Sequence, residues 1–407
     1  MRRVVVTGAG AICSLGTGVE GFWDALIAGR SGATVREVEG LGPVVVCPVA
    51  DADVDDAAKR RFGQRESRRM DRVGRLAALA GAEALEQAGS HRLPPERVGA
   101  SLGCAHGGTQ TLLEAHEALL LRGADRVSPF AVALSLPNSA CAAMTRALSL
   151  KGPSNASATA CAAGTDAIGI ALWHIRHGGA DMMVAGGAEA AVTPVALAAY
   201  AKAGALSPSV DNPAEASRPF DSARNGFVMG EGAGVLVLEE RDHALARGAT
   251  ILAEVAGYGA SCDAGHLTDP DPKGAGAARA ITAALADARV AASDVGYVNA
   301  HATSTPSGDV AEARALHAAK VDHAWVSATK ASHGHTLGAA GGVEAVATVL
   351  ALHRGLLPPT RNLTHPDGAV HLRHVTVPYS VQVDVAISNS FGFGGHNACL
   401  VFTRHGA

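Results

Sequence analysis

Short apolar runs alternate along this chain with Ala-rich stretches of helical period, from one end to the other. Runs too apolar to face water on either side predict buried strands at 4–7, 182–186, 234–239, 295–300, 325–329 and 385–388. Helices are predicted at 75–88, 162–177, 275–288, 309–317 and 342–354, the last with Val346, Val349 and Leu350 on one stripe. Strands and helices in alternation predict an α/β fold with covered sheets. Ala163-Gly164 opens a helix that closes at Gly178, and Ala340-Gly341 opens one that closes at Gly355. This repeat of strand, polar tip and small-residue helix predicts two related halves, 1–249 and 250–407, with no Pro- or Ser-rich linker at their seam.

Composition sharpens that picture. Of 407 residues 48% are hydrophobic and 18% charged, which suffices for a large core and excludes disorder as the main state. Gly occurs 48 times while aromatics make up 4%, so the interior is expected to be Ala, Val, Leu and closely approaching backbone. A formal charge of −4 gives no overall attraction to nucleic acid or to an anionic membrane. No apolar stretch is long enough to span a bilayer, and the run after Arg2 and Arg3 gives way to Gly8, so a cytoplasmic location is expected. The 7 cysteines, without a C-x-x-C pair, make neither a disulfide framework nor a structural zinc site. One basic run stands out: Lys59, Arg60, Arg61, Arg65, Arg68, Arg69, Arg72 and Arg75. It reads either as a solvated helix face or as a docking patch for an acidic partner.

The glycine loops narrow the chemistry. Thr7-Gly8-Ala9-Gly10 follows a strand, but Cys13 stands where a dinucleotide fingerprint needs its third Gly, and no P-loop string occurs. In the segment 388–397, Gly392, Gly394 and Gly395 can bring bare N–H groups to a ligand, and Phe391 and Phe393 exceed the needs of a plain turn. Cys161 lies where a short strand runs into a helix, a place where the helix dipole is expected to lower the thiol pKa. His301 and His335 follow other strands, with Lys330 in the same loop as His335 and Glu344 on the next helix.

A hydrolase would pair one His with a carboxylate or amide, whereas two neutral imidazoles can both donate to one developing oxyanion. That fits the enolate left when a malonyl thioester loses CO2, whose carbon then attacks an acyl group on Cys161. A zinc site from Cys161, His301, His333 and His335 is the alternative, but its ligands would come from separate strand ends without C-x-x-C or H-E-x-x-H spacing.

The strings TACAAGTDAIG around Cys161, NAHATSTPSGD around His301, ATKASHGHTLGAAGG around Lys330 and His335, and SNSFGFGGHN near the end resemble the four signature stretches of the elongating β-ketoacyl-acyl carrier protein synthases. The resemblance runs from Arg2 to Phe402. It implies a thiolase-type fold of five αβαβα layers with two duplicated halves, assembled as a homodimer or as a heterodimer with a chain-length subunit. It implies that Cys161 takes the acyl chain from a carrier protein and forms the oxyanion hole with the N–H of Phe391, which also gates the pocket. His301 and His335 would stabilise the enolate, and Lys330, paired with Glu344, would hold His335. Thr303 and Thr305 would contact the phosphopantetheine arm, which arrives on the carrier so that no resident cofactor is implied. Thr268, in the loop 263–273, would belong to a partner gate, and Arg65, Arg68 and Arg69 fit the implied docking surface.

Several residues depart from the family's pattern. Ala302 replaces the usual Gly, and Ala331 and His333 the usual Ser and Thr, so Ala302 and His333 are expected to add bulk near the decarboxylation site. Gly204 stands where a basic docking residue is common, leaving Lys202 or the arginines to compensate. His106 precedes paired glycines where a bulky apolar residue is frequent, Ala131 replaces an aromatic reaching across the dimer, and Tyr200 replaces Phe. The acyl pocket is therefore expected to be roomier and more polar, a poor match for a saturated chain unless His106 and Tyr200 satisfy each other. Two other functions share the fold. A non-catalytic chain-length subunit would typically lack the nucleophile, and a thiolase would need a second cysteine as base, for which the late Cys399 reads instead as core. Fatty-acid and polyketide or polyene pathways use nearly the same catalytic residues.

Overall fold

The computed structural model describes residues 1–406. In the first half the chain runs β1 (Val4–Cys13), α1 (Arg72–Ala88), β2 (Val98–Gly103), α2 (Ser139–Leu148), β3 (Ser154–Ser157), α3 (Ala163–Arg176), β4 (Met182–Glu189) and β5 (Gly232–Glu240). The second half repeats the order: β6 (Ala253–Cys262), α4 (Ala275–Ala288), β7 (Tyr297–Asn299), α5 (Pro306–Ala318), β8 (Trp325–Ser327), α6 (Ala340–Arg354), β9 (Val385–Gly392) and β10 (His396–Thr403).

Pairing repeats as well. The first sheet is ordered β3-β2-β4-β5-β1 and the second β8-β7-β9-β10-β6. In each, the first two pairings of that order are parallel and the last two antiparallel. The sheets touch where β1 meets β6, through Val5 opposite Glu254 and Val6 opposite Ala253. Helices α1 and α2 cover the outer face of the first sheet, α4 and α5 that of the second, and α3 and α6 lie between the sheets. This is the five-layered αβαβα arrangement.

The middle layer explains the composition. Helix α6 is buried on every side from Ala340 to Leu352, so its apolar residues form a full circumference rather than the predicted stripe, as a helix between two sheets requires. One apolar cluster joins Ile168 and Leu172 of α3 with Val346 and Leu350 of α6, Leu236 of β5 and Phe402 of β10. Four of these strands escape the apolar-run criterion: β2 is built of small residues, β3 is a polar edge, β6 is broken by glycines, and β10 opens on polar residues. Others are longer than predicted because their tips are polar and carry the site, as in β4 and β9. Among the described residues no helix is long and apolar enough to cross a membrane.

Glycine sets the spacing of the layers. A Cβ on Gly342 would stand 2.2 Å from the Gly234 carbonyl oxygen of β5 and 2.5 Å from the Gly187 nitrogen of β4. Backbone occupies both positions, so the helix would have to move. Gly342→Ala should therefore destabilise the protein by about 1–3 kcal/mol, read as a lower urea midpoint. Gly21→Ala, with nothing within 4 Å of the new Cβ, is the control; equal midpoints for the two would show that the layers part freely.

Candidate active site

The middle layer also delivers the chemistry, because reacting groups lie in the segments that join β3 to α3 and β8 to α6. After β3, Ala160 takes a left-handed φ of 50° and Cys161 enters a 3-10 turn, Ala160–Ala162, that leads into α3. At the matching place before α6, His335 sets its Nε2 3.1 Å from the Cys161 sulfur. Strand β7 delivers His301, whose ring stands 5.3 Å from that of His335 and nearly perpendicular to it, at 87°. Lys330, just past β8, is 1% exposed and pairs with Glu344 of α6, which is fully buried.

The structure corrects the role expected of Lys330. Its ammonium lies 3.4 Å from Nδ1 of His301, and it is this ring, not His335, that it holds. A cation donating to Nδ1 leaves the His301 proton on Nε2. Nδ1 of His335 is buried without a hydrogen-bond partner among the described residues, so only the Cys161 thiol at Nε2 bears on the tautomer of that ring.

Burial decides the charge states. It pushes the Cys161 thiol up to about 12, against the pull of the Lys330 charge and of the Phe393 N–H. The expected lowering at a helix N-terminus is therefore overturned: backbone N–H groups do lower the thiol, but loss of water outweighs them. Burial first, then the Lys330 charge, hold His301 and His335 well below the ordinary imidazole value. Both rings are neutral at pH 7 and face a protonated thiol. Burial also raises Glu344 to about 7, opposed by Lys330.

A cavity of about 250 Å³ leads from the surface to these groups, lined by Thr268, Thr303, Thr305, Tyr200, Phe391 and Phe393 besides Cys161, His301 and His335. The N–H that faces the Cys161 sulfur is that of Phe393, not of Phe391. Phe391 is still within β9, opposite Asn397, whereas Phe393 opens the glycine turn. Of the three expected acyl-pocket residues only Tyr200 lines this cavity; His106 lies behind it, and Ala131 is in the short helix Ala131–Ser135 away from it. His333 adds no bulk to the site, since its Nε2 turns to the Thr329 hydroxyl at 3.2 Å and its ring to Phe22. Ala302 is likewise absent from the cavity wall, its N–H bound by Glu312.

The basic run does not form one helix face, because it is spread over Ala57–Phe62, Gln64–Ser67 and α1. Lys59, Arg61, Arg72 and Arg75 are paired with Asp56, Glu86, Glu231 and Asp55. Arg65 and Arg68 are exposed and Arg69 half-buried, without ion pairs among the described residues. Gly204 and Lys202 are exposed, Gly204 at the cavity mouth.

One network was missed in the sequence. Asp166, in the first turn of α3, accepts from the Thr159 hydroxyl and, at 2.7 Å, from the hydroxyl of Tyr258 in β6. It ties the turn holding Cys161 to the other half. Only TACAAGTDAIG hinted at it, by putting an acid in an apolar helix.

Comparison with known proteins accords with this geometry. The family model for the β-ketoacyl synthase N-terminal domain matches residues 1–244, and that for the C-terminal domain residues 252–364. The chain belongs to the β-ketoacyl synthase family. The 3-oxoacyl-[acyl-carrier-protein] synthase 2 of Synechocystis sp. is 44% identical, over 99% of this chain and 98% of that one. The enzyme of the same name from Vibrio cholerae is 43% identical over 99% of each. Among solved structures, a β-ketoacyl synthase from Burkholderia phymatum superposes with a TM-score of 0.91 at 35% identity, covering 99% of this chain and 100% of that one. The ishigamide ketosynthase/chain length factor gives 0.89 at 36% identity, covering both chains fully at 100%. As a β-ketoacyl synthase this chain is an acyltransferase-type condensing enzyme with a thiolase-type fold.

A thiol held well above neutrality has a thiolate fraction that grows about tenfold per pH unit. Alkylation of Cys161 by iodoacetamide, followed by peptide mass spectrometry, should accordingly accelerate steadily from pH 7 to 9. A rate already level at pH 7 would show a preformed thiolate and imidazolium instead.

Proposed function

We propose that this β-ketoacyl synthase extends acyl chains on an acyl carrier protein by decarboxylative condensation with a malonyl thioester. The reading is carried by the Cys161 sulfur 3.1 Å from a neutral His335, with His301 beside it, at the foot of a threonine-lined cavity.

In the first half-reaction the thiol proton passes to Nε2 of His335 as the sulfur attacks the acyl thioester carbon. The oxyanion forms beside the N–H groups of Cys161 and Phe393. Collapse breaks the bond to the carrier's sulfur, which takes the proton back from His335. In the second, the malonyl thioester carbonyl accepts from Nε2–H of His301, the tautomer fixed by Lys330, and from His335, whose unbound Nδ1 leaves it able to carry its proton on Nε2. The bond to the carboxylate breaks, CO2 leaves, and the electron pair enters the enolate that both rings stabilise. The enolate carbon attacks the Cys161 thioester, and the released sulfur takes up one proton. No resident cofactor enters these steps. Thr268, Thr303 and Thr305 would meet the phosphopantetheine arm.

The partners are an acyl carrier protein and a second chain of this fold, either a copy or a chain-length subunit. A relative of known structure, a type II polyketide synthase ketosynthase at 30% identity and TM-score 0.89, is bound to its acyl-carrier protein. Support for a second chain comes from the exposed Leu120, Leu121, Phe130 and Val132, and from β3, whose outer edge is unpaired. Ala131 belongs to that same segment, so it would reach an acyl pocket only across the dimer. The halves are proposed to divide near residue 249. The pathway proposed is type II polyketide, possibly polyene, or fatty-acid biosynthesis.

Cys161→Ala should take up no acyl group from an acyl carrier thioester, by peptide mass spectrometry; acylation elsewhere at the same rate would remove it as the nucleophile. His301→Ala and His335→Ala should each slow malonyl decarboxylation by about 10²–10³-fold, the loss typical of one oxyanion donor. Reversing Arg65 and Arg68 to Glu should lower the carrier's association rate and flatten its salt dependence in stopped flow. Unchanged kinetics at low salt would make them an ordinary solvated surface.

A further inference from the structure

The two halves begin their central helices in the same way. In the first, Ala160 at φ 50° opens the turn Ala160–Ala162 and α3 starts at Ala163; in the second, Leu337, also at φ 50°, opens the turn Leu337–Ala339 and α6 starts at Ala340. Residue for residue, Gly338 therefore stands where Cys161 stands. The N–H of Cys161 is one of the two beside which the oxyanion forms, and the N–H of Gly338 is its counterpart. That counterpart is taken: Gly338 donates at 3.2 Å to Oε2 of Glu189, at the end of β4 in the other half.

Glu189 is fully buried. The same oxygen accepts from the Ala105 N–H at 2.8 Å, and the Cys104 thiol lies 3.6 Å from Oε1. Nδ1 of His106 stands 3.7 Å from Oε2, too far for a hydrogen bond. Amide donors of this kind favour the charged form of an acid. A Cβ on Gly338 would meet that oxygen at 2.8 Å and the Ala105 nitrogen at 2.4 Å, so the acid comes this close only because the residue is Gly.

His335 lies three residues before Gly338. Its own backbone is held on one side, its N–H donating to the Val228 carbonyl at 2.7 Å and its carbonyl accepting from Gly230 at 2.9 Å. After it comes Leu337, in a left-handed conformation that a bulky side chain keeps only where its surroundings impose it. Two bonds impose it, the turn's own from the Ala339 N–H to the Thr336 carbonyl at 3.0 Å and that from Gly338 to Glu189. The acid also bears on the sulfur. Burial raises the Cys161 thiol most, and the Glu189 charge adds to it, while the Lys330 charge and the Phe393 N–H oppose them. The other titratable groups around the sulfur carry no free charge: His301 and His335 are neutral, and burial keeps the proton on Tyr200. Glu344 is bound by Lys330, Glu312 by the N–H groups of His301 and Ala302, and Asp166 by Thr159 and Tyr258.

We propose that Glu189 is a positioning residue of the condensing reaction: it occupies the second half's counterpart of the oxyanion site, fixes there the turn that carries His335, and sets a negative charge against that of Lys330 at the Cys161 sulfur. The sulfur then keeps its proton until a thioester arrives, and His335 stays neutral for decarboxylation.

The proposal rests on Cys161 as nucleophile and His335 as enolate donor, and its test separates charge from position. Glu189→Gln keeps an oxygen for the N–H donors and removes the charge, whereas Glu189→Asp keeps the charge and draws the oxygen back by a methylene. Alkylation of Cys161 by iodoacetamide should be about threefold faster in Glu189→Gln at every pH from 7 to 9, a displacement of about half a pH unit, and within about twofold of the unmodified protein in Glu189→Asp. Decarboxylation of a malonyl carrier thioester, followed by intact mass, should fall about tenfold in Glu189→Asp. A folded Glu189→Gln that alkylates no faster overturns the proposal, as does undiminished decarboxylation by Glu189→Asp. Equal acceleration of alkylation in both variants would mark a loosened site rather than a lost charge and overturns it too. If one variant fails to fold by circular dichroism, the other decides. Alkylation needs no substrate, so the expected alkylation pattern in a protein that decarboxylates no malonyl thioester would refute the condensing reaction and leave the charge set by Glu189 standing.

Discussion

A lysine and a glutamate, both shut off from water, stand where the two halves meet, and the rest of the site takes its character from them. Burying such a pair is unfavourable unless the geometry compensates each charge, and removing one partner typically costs about 3–5 kcal/mol. Lys330 is compensated by Glu344, and its remaining reach is spent on Nδ1 of His301. The same positive charge disfavours protonation of His301, His333 and His335 and favours loss of the proton from Cys161. One cation thus adds to burial in keeping two histidines as neutral donors while opposing the effect of burial on the nucleophile.

Holding that cation dry depends on the thickness of the middle layer. Glu344 sits on a helix that touches both sheets, and the helix can do so only because Gly342, Gly187 and Gly234 let backbone approach backbone. The high Gly and low aromatic content is therefore a condition of the chemistry rather than a general feature of composition. Larger side chains in that layer would separate α6 from β4 and β5 and admit water to the pair.

Much of this was legible in the sequence, and the gaps have physical causes. The alternation of strand and helix, the duplication, and the convergence of Cys161, His301, Lys330, His335 and Glu344 follow from strand ends, which local pattern marks well. Charge state was misread because a helix N-terminus is visible in a string of residues while the burial that outweighs it is not. Lys330 was assigned to the histidine near it in sequence, His335, whereas its long side chain reaches back to His301 on the neighbouring strand. Phe391 and Phe393 are two residues apart in a strand-to-turn transition, and only the position where the strand ends shows which N–H is set free. The link from Asp166 to Tyr258 spans the two halves, a distance over which periodicity carries no information.

Duplication also explains why the site is asymmetric. The equivalent strand ends of the two halves face one another across the middle layer, so each half can supply what the other lacks. The second half supplies His301, kept neutral by burial and then by the Lys330 charge, and Lys330 itself, held by Glu344. The first supplies Cys161, with Cys104 and His106 past the end of the neighbouring strand and the carboxylate of Glu189 at the end of the strand beyond it. At the reacting end the partner of the buried acid sets what that side does: the Lys330 ammonium, held by Glu344, fixes the tautomer of His301 for reaction.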